Sequence, residues 1–235
     1  MLHNYFRRIA ISVIVTGALT LTASAWADDD EERASAGFLE ITVTNLTRGQ
    51  QFTPILVASH RAGVRLFELG QPASPGLQIV AEEGDVAPLT AELLAMPGVL
   101  DVTNSGALLD PGASVKIRVR AHDRFNRVSV AAMLIPTNDT FFAVNGARVP
   151  HDQYQPQVLT SVAYDSGSER NDELCTSIPG PFFIECGGPG GGAAPAGDEE
   201  GYVHVHAGIH GVGDIKAAQR DWRNPVARIT IRRVQ

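Results

Sequence analysis

Two acidic loop segments each follow an apolar run of the kind that forms β-strands. Asp139 comes soon after residues 128–135, and both Asp165 and Glu169 follow residues 158–164. Hard cations such as Ca²⁺ need six to eight oxygen ligands, and carboxylates on loops supply them without strain. Three carboxylates brought together at one end of a β-structure could therefore hold a calcium ion. Spacing alone also allows a simpler interpretation, in which Asp139 and Asp165 merely end strands, as Asp commonly does in turns.

A histidine cluster is the second candidate for chemistry. His204 and His206 are two positions apart, so on a strand their side chains point to the same face, with Cα atoms about 7 Å apart. Two imidazoles so placed can chelate Zn²⁺ or Cu²⁺, and His210 beyond the next turn could supply a third nitrogen. The alternative is a strand whose histidines are exposed or make ordinary hydrogen bonds.

Signatures of catalysis are missing from the sequence. It contains no nucleophile elbow, phosphate-binding loop or dinucleotide fingerprint, and no segment marks a reactive serine. Glu82, Glu83 and Asp85 are neighbouring carboxylates at a predicted helix end, where solvation or capping explains them better than an acid–base pair. The sequence therefore predicts a protein that is not an enzyme.

Strand-like patterns recur along most of the chain and must position these residues. Alternating and continuous apolar runs predict about eight strands. They cover residues 38–46, 53–59, 114–120, 128–135, 141–144, 158–163, 201–206 and 226–234. Antiparallel pairing in two packed sheets suits this pattern, so we expect an all-β fold, an antiparallel β-sandwich.

Two segments depart from the β pattern. Residues 73–96 predict a short helical excursion, with Ser74 as N-cap and Pro75 in the first turn. Residues 187–201 are low in complexity and rich in glycine, which predicts a mobile surface loop.

The N-terminus has the layout of a secretory signal peptide. Arg7 and Arg8 precede an apolar stretch over residues 9–22, and an Ala-x-Ala cleavage site ends at Ala27. The stretch is shorter than the about 20 residues that a membrane span needs. We therefore expect a secreted or periplasmic protein, cleaved after Ala27, with no stable membrane anchor. The expected divisions are a signal peptide over 1–27, a flexible acidic terminus over 28–35 and one domain over 36–235.

The net charge and the cysteine content indicate which classes of partner and which cellular compartment are compatible with the chain. The formal net charge of −7 disfavours nucleic acid and anionic membranes as partners but suits cation binding. Cys175 and Cys186 are the two cysteines, and in an exported protein such an isolated pair is most simply a disulfide. A metal or redox pair is the alternative, but it lacks the usual Cys-x-x-Cys spacing.

Several segments resemble the spondin N-terminal domain family, and its bacterial branch in particular. MLIPTNDTFFAVN at residues 133–145 and YDSGSE at residues 164–169 are similar to its two signatures, hydrophobic-Pro-x-x-Asp-Trp-Phe and Tyr-Asp-x-Gly-x-Asp. The similarity extends over about residues 36–235. Further similar segments are residues 46–57, 66–74, 81–85 and 221–228.

The resemblance implies a C2-like β-sandwich with a calcium ion bound at three acidic positions. Carried over one by one, these are Asp139, Asp165 and Glu169. Two positions depart from the family pattern, since Thr140 replaces a tryptophan and Glu169 replaces an aspartate. Asp172, three residues further on, is a possible substitute ligand.

We therefore expect an exported calcium-binding adhesion or ligand-binding module of spondin type, whose partner is an extracellular protein or carbohydrate. Two alternatives stay open. One is an exported protein that binds Zn²⁺ or Cu²⁺ through His204, His206 and His210, and the other is a structural envelope protein.

Overall fold

The computed structural model describes residues 37–195 and 197–234. The predicted signal peptide, its cleavage site and the acidic terminus lie outside this range. Within it, no helix is long and apolar enough to cross a membrane.

The described residues form thirteen strands and three helices. In chain order they are β1 Gly37–Asn45, β2 Gln51–Phe52, β3 Leu56–His60, α1 Pro75–Glu83, α2 Ala87–Leu94, β4 Val99–Asn104, β5 Ser114–Ala121, β6 Arg127–Ile135, β7 Thr140–Arg148, β8 Gln157–Ser161, β9 Ala163–Asp165, β10 Phe182–Phe183, β11 Gly188–Pro189, β12 His204–Val205, α3 Ala217–Arg220 and β13 Ala227–Val234.

The first sheet has the strand order β5–β1–β13–β8, with antiparallel pairing throughout. Its central pair joins the two ends of the domain, since Phe38 lies opposite Val234. Buried and partly exposed residues alternate along β1, and Leu39, Ile41 and Val43 are fully buried. This alternation places one apolar face of the sheet against the core.

The second sheet has the order β12–β9–β7–β6–β3–β4, and β2 also pairs with β6. Strand β6 is apolar on both faces because both are covered. Val130 and Ala132 belong to the core between the sheets, whereas Ala131 packs with the helices on the outer face. The antiparallel sandwich that the sequence predicts is confirmed, with a third, helical layer on one side.

The helical excursion predicted over residues 73–96 is confirmed as α1 and α2. The Ser74 side chain accepts a hydrogen bond from the Leu77 N–H, and Gly84 ends α1 at a φ of 71°. Leu77 and Val80 pack in one cluster with Phe141 of β7. This packing brings the last turn of α1 close to the acidic loops.

The structure differs from the sequence prediction in several places. The strand expected over residues 201–206 is only His204–Val205, and β4, which pairs with β3, was not predicted. Part of the glycine-rich segment is also held in place, since the N–H groups of Gly190 and Gly191 donate to the carbonyls of Gly180 and Cys175. A Cβ atom on either glycine would overlap neighbouring backbone, so close approach explains these glycines. The mobility of the segment as a whole stays a prediction.

The predicted disulfide between Cys175 and Cys186 is confirmed. It closes a loop with a sequence separation of 11 residues. The bridge fixes the chain between the acidic loops and the glycine-rich segment, since the Gly191 N–H donates to the Cys175 carbonyl.

Replacing both cysteines by serine should lower the free energy of unfolding by about 3 kcal/mol, because the unfolded chain gains the entropy of an open loop. Urea unfolding followed by circular dichroism measures this change. Val212→Ala, at a residue that is 70% exposed, is the control and should shift stability by less than about 0.5 kcal/mol. A double variant as stable as the control would contradict the expectation.

Candidate cation site

Strand pairing brings the two acidic loops together. Thr140, the first residue of β7, lies opposite Asp165, the last residue of β9. The Ser166 N–H donates to the Asp139 carbonyl at 3.2 Å, which extends the contact into the loops. Asp139 and Asp165 therefore lie side by side at one end of the second sheet.

Asp139 is fully buried and uses only one of its carboxylate oxygens. Its Oδ2 accepts hydrogen bonds from Ser166 Oγ at 2.9 Å, from the Ser168 N–H at 2.9 Å and from the Glu169 N–H at 3.1 Å. Its Oδ1 is buried without a hydrogen-bond partner. A buried polar atom of this kind carries a desolvation cost that something must offset.

Glu169 repeats this half-satisfied arrangement. The residue is 5% exposed, and its Oε1 accepts from the Ala194 N–H at 3.1 Å while Oε2 is buried without a partner. A cleft of about 340 Å³ opens beside it, lined by Glu82, Glu83, Glu169, Pro179, Gly191, Gly192 and Ala193. The cleft gives solvent and ions a route towards the Glu169 carboxylate.

Both oxygens of Asp165 are held. Oδ1 accepts from the Gly167 N–H at 2.8 Å, and Oδ2 accepts from the Asn171 side-chain amide at 2.7 Å. Asp165 is fully buried, so these two donors fix its orientation. Each oxygen still has a free lone pair for a cation.

The three carboxyl groups resist ionisation. Burial, followed by the charge of the neighbouring Asp165, raises the pKa of Asp139 to about 7. Burial, followed by the charge of Glu82, raises the pKa of Glu169 to about 8. Burial also raises the pKa of Asp165. A bound divalent cation would reverse these shifts, because it favours the charged form of every neighbouring carboxylate.

One set of three potential metal ligands already lies close together. Among the described residues, only Asp165, Glu200 and His204 have ligand atoms that all lie within 4.8 Å of one another. Asp139, Asp165 and Glu169 do not form such a set. Calcium ligands lie 2.3–2.6 Å from the ion, so no two can be more than about 5 Å apart. At least one of the three carboxylates must therefore move closer to the others for all three to share one ion.

The three histidines have different environments. Both His204 and His206 approach Asp165, with Nε2 atoms 3.7 Å and 3.6 Å from Oδ1 and Oδ2. His210 is exposed, and its N–H donates to Glu173. The structure does not bring the three imidazoles together as one ligand set.

Both ring nitrogens of His206 already have hydrogen-bond partners within the protein. Its ring packs 5.2 Å from Trp222, and Nδ1 accepts a hydrogen bond from the Gly208 N–H at 2.9 Å. The proton of the neutral ring is then on Nε2, which lies 3.2 Å from Asn171 Oδ1. Burial, followed by the charges of His204 and His210, lowers the pKa of His206 to about 3. His206 therefore orients Asn171 and leaves no nitrogen for a metal.

Asp172, the possible substitute ligand, is used for structure. Oδ1 accepts from the Asn138 amide and the Leu174 N–H, and Oδ2 accepts from Ser177 Oγ. Burial alone would raise its pKa, but these hydrogen bonds outweigh that effect and lower it. Asp172 stabilises the turn after the acidic loop.

Residues 44–170 match the family model described as Spondin_N. The chain belongs to the spondin N-terminal domain family. No curated protein matches the chain. The matched range of the spondin domain includes Asp139, Asp165 and Glu169, whereas Asp172 and the histidine cluster follow it.

Sequence reasoning missed three residues around this spondin site. Glu82 on α1 is not simply solvated, because its charge raises the pKa of Glu169 and its own pKa is raised, mainly by burial. Asn171 carries no sequence signal, yet it orients Asp165, and no local pattern places Glu200 beside that carboxylate. The sequence shows several acidic residues within 81–85, but no local pattern indicates that α1 packs against the acidic loops.

Gly167→Ala should destabilise the spondin domain more than Gly106→Ala. Both glycines have positive φ, 66° and 72°, but a Cβ at Gly167 would overlap the Tyr202 backbone whereas the space at Gly106 is open. We expect a cost of about 1 kcal/mol at Gly106 from φ alone and a larger loss at Gly167. Urea unfolding of both variants measures the difference, and equal losses would contradict the close contact.

The metal-free domain should lose stability as pH rises from about 4 to about 8. The folded-state pKa values of Asp139 and Glu169, about 7 and about 8, exceed their ordinary values of 3.8 and 4.5. The native state therefore holds protons that the unfolded state releases, and unfolding gains from deprotonation across this window. Urea unfolding in EDTA along the pH series measures the slope.

The slope should be smaller in Asp139→Asn, which cannot ionise at this position. Asp152→Asn, at an exposed aspartate, is the matched control and should keep the wild-type slope. An Asp139→Asn protein with an unchanged slope would show that Asp139 does not titrate in this range.

Proposed function

We propose that this spondin domain is an exported, calcium-dependent binding module without catalytic activity, which recognises an extracellular protein or carbohydrate. One observation carries the proposal. Two buried carboxylate oxygens of neighbouring loop residues, Asp139 Oδ1 and Glu169 Oε2, have no hydrogen-bond partner.

Oxygen chemistry favours calcium for these two atoms. Burying an ionised carboxylate without a partner is costly, and the group remains neutral unless a cation compensates it. Asp165 offers a third carboxylate beside Asp139, and the raised pKa values mean that a cation competes with protons for all three. An all-oxygen set of carboxylates suits a hard cation of flexible coordination, which describes Ca²⁺.

The ion would act on the surface through the loops that carry its ligands. Glu169 accepts from Ala194 in the glycine-rich segment, and Asp139 binds the N–H groups of Ser168 and Glu169. Neutralising these carboxylates would therefore fix the acidic loop and the glycine-rich segment together around the adjacent cleft. That surface is the part of the module we assign to ligand binding.

A serine–histidine contact bears on the proposed absence of catalysis. Ser129 Oγ lies 2.8 Å from His60 Nε2, the pairing that serine hydrolases use. Both residues are fully buried in the second sheet, and Ser129 also accepts from the Gly146 N–H. A substrate has no path to this oxygen, which favours a structural role.

Export is supported by the disulfide and by the N-terminal sequence. Disulfides persist in oxidising compartments, and the Cys175–Cys186 bridge lies in the chain between the acidic loop and the glycine-rich segment. The acidic composition is compatible with an extracellular partner and with cation binding.

Calcium should stabilise the metal-stripped domain. A ligand that binds only the folded state adds about 2.7 kcal/mol at 100 times its Kd, so millimolar Ca²⁺ should raise the thermal midpoint clearly. Asp139→Asn removes a carboxylate with little change in shape and should abolish the shift. Differential scanning calorimetry with and without Ca²⁺ measures both proteins.

Asp152→Asn is the matched control, since it removes an exposed aspartate on another loop and should leave the calcium shift intact. A wild-type midpoint unmoved by millimolar Ca²⁺ would refute the proposal. So would a shift of equal size in Asp139→Asn, because the ion would then bind elsewhere.

A further inference from the structure

We infer that Asp165, Glu200 and His204 form a second cation site, which takes a late first-row transition metal such as Zn²⁺. The site lies at the edge of the second sheet, where β9 and β12 place Asp165 directly opposite His204. It goes beyond the calcium-dependent module proposed above and lies largely outside the residues that match the family model.

The tautomer of His204 points to a metal ligand. Its Nδ1 lies 3.2 Å from the Val205 carbonyl oxygen, which can only accept a hydrogen bond, so Nδ1 carries the proton. Its Nε2 then presents a lone pair. That atom is buried, has no hydrogen-bond partner and lies 3.7 Å from Asp165 Oδ1.

Two electron-pair donors facing each other repel unless a cation lies between them. A shared proton would draw nitrogen and oxygen to about 2.7–3.2 Å, shorter than the distance in this pair. Ligand atoms bound tetrahedrally to Zn²⁺, with bonds of about 2.0–2.2 Å, are about 3.4 Å apart. The observed separation of 3.7 Å is close to that spacing.

Glu200 supplies the third ligand and leaves the site open to solvent. Its carboxylate lies within 4.8 Å of both other ligand atoms, and its side chain is exposed. The next residue, Gly201, donates its N–H to the Gly167 carbonyl at 2.8 Å. This hydrogen bond fastens the Glu200 segment to the loop that begins at Asp165.

A partly buried chain of hydrogen bonds orients the shared aspartate. The Gly208 N–H donates to His206 Nδ1, His206 Nε2 faces Asn171 Oδ1, and the Asn171 amide donates to Asp165 Oδ2. These contacts direct Asp165 Oδ1 towards His204. Outer groups that fix a ligand in this way are typical of protein metal sites.

The donor set decides which metal is preferred. Imidazole nitrogen and carboxylate oxygen are both zinc ligands, and three protein ligands with a fourth position open to water match the layout of open zinc sites. Calcium binds oxygen ligands and gains little from an imidazole. The two sites share Asp165 but differ in every other ligand, so single variants separate them.

Zinc binding to the metal-stripped mature protein tests the inference. Competition with a chromogenic chelator should show one tight Zn²⁺ site in the wild type. His204→Ala should weaken it by more than about 100-fold, beyond the 10–100-fold typical of outer-group changes. His210→Ala, which removes an exposed histidine six residues away, is the matched control and should bind as the wild type does.

Cobalt provides a second readout that does not depend on stability. Co²⁺ bound by nitrogen and oxygen in a four- or five-coordinate site gives visible absorption, which should appear in the wild type and disappear in His204→Ala. His204→Gln keeps a polar side chain of similar bulk and replaces His204→Ala as the test if the Ala variant folds poorly. It should also lose the absorption. Asp139→Asn should retain it.

Absence of zinc binding in the wild type would overturn the inference, as would wild-type affinity in both His204 variants. Loss of the cobalt signal in Asp139→Asn would also overturn it, because the two sites would then be one. The calcium proposal is tested separately, by the rise in thermal midpoint with Ca²⁺ and by the loss of that rise in Asp139→Asn.

Discussion

The antiparallel pairing of Thr140 with Asp165 is the constraint on which the acidic end of this domain depends. It fixes two carboxylates beside each other at the end of a sheet that is covered on both faces. Asp139 and Asp165 are both fully buried at this end. Negative charge is therefore confined where solvent cannot screen it.

The local backbone compensates only part of that charge. Three donors converge on one oxygen of Asp139, and Asn171 and Gly167 hold Asp165, while Asp139 Oδ1 and Glu169 Oε2 receive nothing. Protons or cations must compensate these two oxygens. The raised pKa values of Asp139 and Glu169 show that protons do so when no cation is bound. A loop preorganised around incomplete carboxylates binds a cation with little further ordering, which reduces the entropic cost of binding.

Local sequence was sufficient for part of this picture. The apolar runs before Asp139 and Asp165 predicted strands that end a few residues before those aspartates, and Ser74–Pro75 predicted the start of α1. The contribution of Glu82 could not be predicted, because it depends on how α1 packs against β7, a contact between residues far apart in the chain. Strand β4 was missed because its residues are only half-buried and show no clear alternation.

The different roles of His204 and His206 were also beyond sequence reasoning. Their spacing suggested equivalent ligands, but the Gly208 N–H takes one nitrogen of His206 and the Val205 carbonyl fixes the tautomer of His204. Backbone groups made this distinction, and a side-chain pattern does not record where they point. The glycine-rich segment is a similar case. Its composition suggested only a loop, whereas Gly190 and Gly191 approach other backbone closely in the structure.

The pairing of β1 with β13 has a consequence for how the domain matures. These strands are neighbours in the first sheet although they are the first and last of the described chain, and Phe38 faces Val234. The sheet cannot close around β1 until the final segment has been synthesised, and such non-local pairings form slowly. The first sheet of a nascent chain therefore stays incomplete until β13 has been synthesised. Strand β1 can pair earlier with β5, but its other edge stays open to non-native pairing until β13 is available.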